Sequence, residues 1–116
     1  MTEITRQHLE DAALAAGFKY RVIHLGGQDY RVTIDGREWW RPHLDDGDSR
    51  RLQVALAITL VHFDRPAPRW AADHVSASEF HSCVHDDTPG DAARAARDAV
   101  VLCAAEVGRR MRESGR

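Results

Sequence analysis

Trp39-Trp40-Arg41-Pro42-His43-Leu44-Asp45-Asp46-Gly47-Asp48-Ser49-Arg50-Arg51-Leu52 divides the chain into two differently patterned parts. An aromatic pair closes a strand there. Proline then ends it, having no N–H to give to a ladder, and an acidic, glycine-containing loop opens a helix. Three aspartates within four positions repel one another, so something must hold them together. Local geometry is one answer. Asp48 reads as the helix N-cap, accepting from the amides of Arg50 or Arg51, with Gly47 at positive φ. Asp45 or Asp46 then makes an Asx turn or pairs with Arg50 or Arg51. The other answer is a ligand or a cationic partner. The spacing is not that of a calcium loop, because no closing glutamate follows at the required distance.

Working outward from this stretch, the residues before it alternate. Phe18, Tyr20 and Val22 point one way, Lys19, Arg21 and Ile23 the other; Tyr30, Val32 and Ile34 share a face. Gly26-Gly27 supplies a tight turn, Asp35-Gly36 a type I′ hairpin signal, and Arg37 to Arg41 the returning strand. Phe18 to Arg41 is therefore expected to form an antiparallel meander. Ahead of it, Thr2 or Thr5 caps a helix through about Ala16, with Ile4, Leu9, Ala13 and Ala16 on one face and Gly17 ending it in a left-handed conformation.

After the acidic loop, Ser49 to about Val61 reads as a largely buried helix, with Leu52, Ala55, Leu56, Thr59 and Leu60 on one face. Pro66 and Pro68 mark a loop, and Trp70–Val75 and Phe80–His85 are candidate strands. Asp91 is the expected N-cap of a last helix to about Met111, its seam formed by Ala93, Ala96, Val100, Cys103, Ala104, Val107 and Met111. The order α-β-β-β-α-β-(β)-α describes a single α+β domain over residues 1–116: an antiparallel β-meander of three to five strands packed with three helices. Leu52, Leu56, Val100 and Val107 are its expected core.

The 116 residues carry a formal charge of −2 and a pI near 6.4. That balance argues against a nucleic-acid binder, which needs a basic surplus to neutralise phosphates. The arginines at the C-terminus, Arg109, Arg110, Arg112 and Arg116, read as a solubilising helix end. No apolar run reaches the ~20 residues of a membrane span, and the N-terminus lacks the order of a signal peptide. A cytoplasmic protein without membrane contact is expected, with Cys83 and Cys103 as reduced thiols.

Trp40-x-Pro42, then Asp45-Asp46-Gly47-Asp48-x-x-Arg51-Leu52, then Ala-Ala-Glu-Val-Gly-Arg at Ala104 to Arg109 resembles a set of small accessory proteins of tailed phages and prophages related to the phage ABA-sandwich domain. The resemblance covers about Tyr30 to Met111. It implies a phage origin, the cytoplasm of a bacterial host, and a sheet between helices; such families mostly carry no assigned activity.

The residues that carry chemistry are few. No nucleophile elbow, metalloprotease motif, phosphate loop or paired-carboxylate motif is present, so no enzyme is expected. His81-x-Cys83-x-His85 alternates along an extended strand, where neighbours on one face lie ~6–7 Å apart, too far for all three to share one ion. A zinc site would need His74 or His62 from a second element, and the recognised spacings are absent, so no metal and no cofactor are expected. Trp39 and Trp40 must face opposite ways. Asp45, Asp46, Trp39, Trp40 and Trp70 are the candidate partner-binding residues, tryptophan for its contact area and the carboxylates for a basic surface. The favoured expectation is a non-enzymatic accessory protein, monomer or homodimer, that blocks a host defence factor such as a CRISPR-type system. The alternative is a small-molecule, nucleotide or metal-binding module using the Asp45–Asp48 loop with Arg41, Arg50 and Arg51, or the His81–His85 strand.

Overall fold

In the computed structural model, whose described residues are 3–63, 69–76, 79–86 and 92–114, the chain folds as α1 (Arg6–Ala16), β1 (Tyr20–Gly26), β2 (Asp29–Ile34), α2 (Asp46–Leu56), β3 (Thr59–Phe63), β4 (Arg69–Ser76), β5 (Glu79–Asp86) and α3 (Ala92–Glu113). It is an α+β fold with two antiparallel sheets, β1-β2 and β3-β4-β5. The expected caps Thr2 and Asp91 and the Pro66–Pro68 loop lie outside the described residues.

The first helix follows its local signals. The Thr5 hydroxyl accepts from the His8 amide, and His8 accepts in return from the Thr5 amide, closing a capping box. Gly17 ends the helix at φ 75, a conformation that a Cβ would penalise. Val32 is buried, and Phe18, Val22, Tyr30 and Ile34 pack against the core, as the alternation requires, whereas Tyr20 of the same expected face is exposed.

The third strand expected at Arg37–Arg41 does not form. After the Asp35-Gly36 turn a single bridge joins Ile34 and Arg37, and the Trp40 amide donates once to the Val32 carbonyl at 2.8 Å. The Arg41 amide is diverted to the Asp48 carboxylate at 2.9 Å, and Pro42 has none to give. β1-β2 is therefore an isolated hairpin, and the meander is built later in the chain, from β3, β4 and β5.

The second helix is shorter than expected at its C-terminal end. It stops at Leu56, with Ala57 left-handed at φ 53, the Ala57 amide on the Val54 carbonyl and the Ile58 amide on the Gln53 carbonyl. Thr59–Phe63 then pairs with β4, Leu60 opposite Ala72 and His62 opposite Trp70. The last three residues of the expected helix, Thr59, Leu60 and Val61, are strand, and Val61 and Phe63 are exposed.

α1 and α3 pack on one another, α3 lies on β4 and β5, and α1 touches the hairpin. The two helices thus lie between the sheets, whereas the resemblance implied a sheet between helices. Small residues permit the helix contact: Ala12, Ala13, Ala104 and Gly108 are buried there, and a Cβ on Gly108 would run into the Asp11 carbonyl. Leu52, Val100 and Val107 are core as expected, while Leu56 is only partly buried. Among the described residues, no helix is long and apolar enough to cross a membrane.

Candidate binding surface around Trp39 to Asp48

Asp48 organises the loop. Its side chain is fully buried and receives Arg37 Nε at 2.8 Å, Arg37 Nη2 at 3.1 Å, the Arg41 amide at 2.9 Å and Arg51 Nη2 at 2.8 Å. Burial alone would push its pKa up, but the hydrogen bonds from Arg37, Arg41 and Arg51 outweigh burial and hold it below the ordinary 3.8. The N-cap is Asp45, not Asp48: its Oδ1 accepts the Asp48 amide at 2.8 Å. The helix thus begins three residues before Ser49. Gly47 consequently sits inside the first turn rather than at positive φ, and a Cβ there would crowd Asp45 Oδ1 and Arg51 Nη2.

The other two aspartates also have protein partners. Arg37 Nη2 lies 3.7 Å from Asp45. Arg97 Nη1 on α3 reaches Asp46 at 2.6 Å, while its Nε donates to the His43 carbonyl at 3.1 Å. Repulsion among the carboxylates is thus answered by Arg51 of α2 and by two cations distant in sequence, Arg37 after the Asp35-Gly36 turn and Arg97 of α3. Asp46 remains the one with its side chain largely in water, 83% exposed.

The tryptophans separate. Trp40 is 1% exposed and meets Phe18 edge-on, ring centroids 5.9 Å apart; it offers no surface to a partner. Trp39 is 47% exposed, and the Arg41 guanidinium lies over its ring at 4.6 Å, a cation–π contact that holds the indole in place. Leu44, 46% exposed, stands nearby, and both residues border a cleft of about 190 Å³ that Tyr30, Trp40, Arg41 and His43 also line. Trp70 is on β4 rather than in a loop, half-buried, its ring 4.6 Å from that of His62.

His74 on β4 pairs in register with His81 on β5, where Cys83 and His85 lie opposite Ala72 and Trp70. Among the residues whose side chains are described, which do not include His81, Cys83 and His85, no three His, Cys, Asp or Glu converge as metal ligands would. A wider cleft of about 620 Å³ lies beside Phe18, Lys19, Ile34, Arg37 and Arg51, with both arginines already committed to Asp48.

His43 and Arg97 escaped the sequence reading. Burial first, then Arg94, Arg41 and Arg97, lower the His43 pKa to about 4, so the ring is neutral at pH 7. No local spacing signals either residue; only the Arg41–Trp39 contact had one, the i,i+2 spacing of Trp39-x-Arg41, which in extended chain lets a guanidinium reach an indole face. No known family, curated protein or solved structure matches the chain.

Proposed function

We infer that the chain is a non-enzymatic binding protein that engages a host protein through the Trp39 surface, as a phage-encoded accessory protein blocking a bacterial defence factor such as a CRISPR-type system. The observation that carries the binding reading is Trp39 itself: a half-exposed indole, fixed by Arg41, beside exposed Leu44. An exposed aromatic held in one orientation gives contact area at little further entropic cost, which is the usual anatomy of a hot spot. Glu38, its neighbour in the chain, and Asp46 on the first turn of α2 are exposed, which fits a partner with a basic surface. The phage and anti-defence part rests on the W-x-P…DDGD-x-x-R-L pattern alone.

The test is capture of proteins from a bacterial host by immobilised wild type, Trp39→Ala, Asp46→Asn and Trp70→Ala. Trp39→Ala should lose the partner by about 2 kcal/mol or more without lowering the melting temperature, and Asp46→Asn should weaken capture mainly at low salt. Equal capture by wild type and Trp39→Ala would move the surface elsewhere, first to Trp70.

A further inference from the structure

We propose that the free edge of β1 is a docking site for an extended acidic segment of a partner protein, which lies antiparallel to it and adds a third strand to the hairpin. The hairpin register fixes which backbone groups that edge offers. The Val32 carbonyl accepts from the Trp40 amide, and Ile34 exchanges both its backbone hydrogen bonds with Arg37, so these groups point away from β1. Val32 stands opposite Val22, and Ile34 opposite Tyr20. These are therefore non-hydrogen-bonded pairs of the ladder, and His24 with Tyr30, two positions on, is the next. In such pairs both residues turn N–H and C=O outward, so Tyr20, Val22 and His24 present theirs on the side of β1 away from β2. The segment after the Asp35-Gly36 turn answers the outward groups of β2. Among the described residues, nothing hydrogen-bonds the backbone of Tyr20, Val22 or His24. A two-stranded hairpin is marginal by itself, and an open row of donors and acceptors is a template for another strand.

Charge selects the occupant. Lys19, just before β1, and Arg21 are exposed, and neither pairs with a carboxylate among the described residues. Alternation puts both on the hairpin face that Arg31, opposite Ile23, also shares. The hairpin's own acids, Asp29 and Asp35, lie at its turns, and Glu10 and Asp11 of α1 already pair with Arg6 and Arg112. A second copy of β1 paired about Val22 would gather two Arg21 and two Arg31 side chains on one face, and these repel. An acidic strand turns the same cations into an attraction, with apolar residues at alternate positions beside Tyr20 and Val22. This edge shares no residue with the Trp39 surface, so either reading can fail without the other.

The experiment titrates the full ¹⁵N-labelled chain, at neutral pH and low salt, with the peptide acetyl-Val-Glu-Val-Glu-Val-Glu-amide. In antiparallel register its valines meet His24, Val22 and Tyr20, and its last two glutamates meet Arg21 and Lys19. The amide signals of Tyr20, Val22 and His24 should move downfield and saturably and gain protection from solvent exchange, while those of Arg21 and Ile23, already bonded to β2, change little. The same peptide with lysine for glutamate should bind about tenfold more weakly or worse, and the acidic peptide N-methylated on its valines should not bind. Lys19→Glu with Arg21→Glu should invert the preference between the acidic and lysine peptides while the remaining spectrum persists. Unmoved β1 amides at millimolar acidic peptide would overturn the proposal. So would equal binding of the N-methylated peptide, which cannot donate to the edge, or of the lysine peptide, since charge would then select nothing. Protection of the same amides that rises with protein concentration alone would overturn it as well, a second copy then being the occupant.

Discussion

Asp48 Oδ1 accepts the Nε–H of Arg37 at 2.8 Å from eleven residues away in sequence, and the same carboxylate takes the Arg41 amide and Arg51. One buried group thereby ties the segment after the Asp35-Gly36 turn, the aromatic segment and the first turns of α2. Asp48→Ala should cost about 2–4 kcal/mol, less than an uncompensated buried charge because Arg37 and Arg51 keep access to water. Asp45→Ala, which removes only the cap, should cost ~0.5–2 kcal/mol, and Asp46→Ala under about 1 kcal/mol. Urea unfolding of the three variants checks the order; if Asp45→Ala costs more than Asp48→Ala, the buried carboxylate is not the organiser.

Gly108→Ala should destabilise although alanine favours helices by about 1 kcal/mol over glycine. The added Cβ meets the Asp11 backbone carbonyl, which has no flexible side chain to yield. Forced separation of α1 and α3 should cost ~1–3 kcal/mol or more net, and it should also disturb the Arg112–Asp11 pair at 3.1 Å. A more stable Gly108→Ala protein in chemical denaturation would mean that the two helices are not in such close contact.

Ala57→Gly should do the opposite and stabilise. Ala57 is the one non-glycine residue at positive φ among those described, where a Cβ costs roughly 1–2 kcal/mol. Glycine's extra unfolded-state freedom returns part of that, leaving a gain of about 0.5–1 kcal/mol. A fall in the unfolding midpoint would contradict the left-handed end of α2.

Stability should depend on pH through His43. Its pKa is about 4 in the fold against 6.5 ordinarily, so between those values the unfolded chain binds a proton that the native chain does not. Stability should therefore be constant above 6.5 and fall as pH drops from 6.5 toward about 4. Further acid loss comes from Asp48, whose contribution is present above its ordinary 3.8 and disappears as pH falls through its lower folded value. His43→Gln should flatten the first segment and leave the second. An unchanged profile in that variant would show that His43 is not buried against the arginines.

Much of the fold was legible because it follows from neighbours in sequence. The Thr5 cap, the Gly17 stop, the β1-β2 alternation, β4, β5 and the long last helix all depend on residues a few positions apart, and all appear near where the pattern places them. The α2 end was misread because no glycine marks it: Ala57 takes the left-handed position that usually announces itself. The absent third strand was misread for a different reason. Arg37 to Arg41 has strand-like residues, but its donors are claimed by Asp48, and nothing local reveals that claim.

The candidate site divides in the same way. The loop's aspartates and the Trp39-Trp40 pair were visible, as was the requirement that the two indoles face apart. Which indole is buried depended on Phe18, twenty-odd positions back. The partners of Asp46 and the burial of His43 depended on Arg97 and Arg94 of α3.

By itself, then, the sequence determined the number and type of most elements and the turns, because hydrophobic period, capping and backbone conformation act over one or two turns of chain. Only the tertiary structure decided that Asp48 is a buried anchor and Asp45 the cap, that Trp39 remains in water, and that Trp40 is enclosed. Those outcomes rest on hydrogen bonds and packing between segments far apart in the chain, and a carboxylate's role is set by which distant cations reach it, not by its spacing from its neighbours.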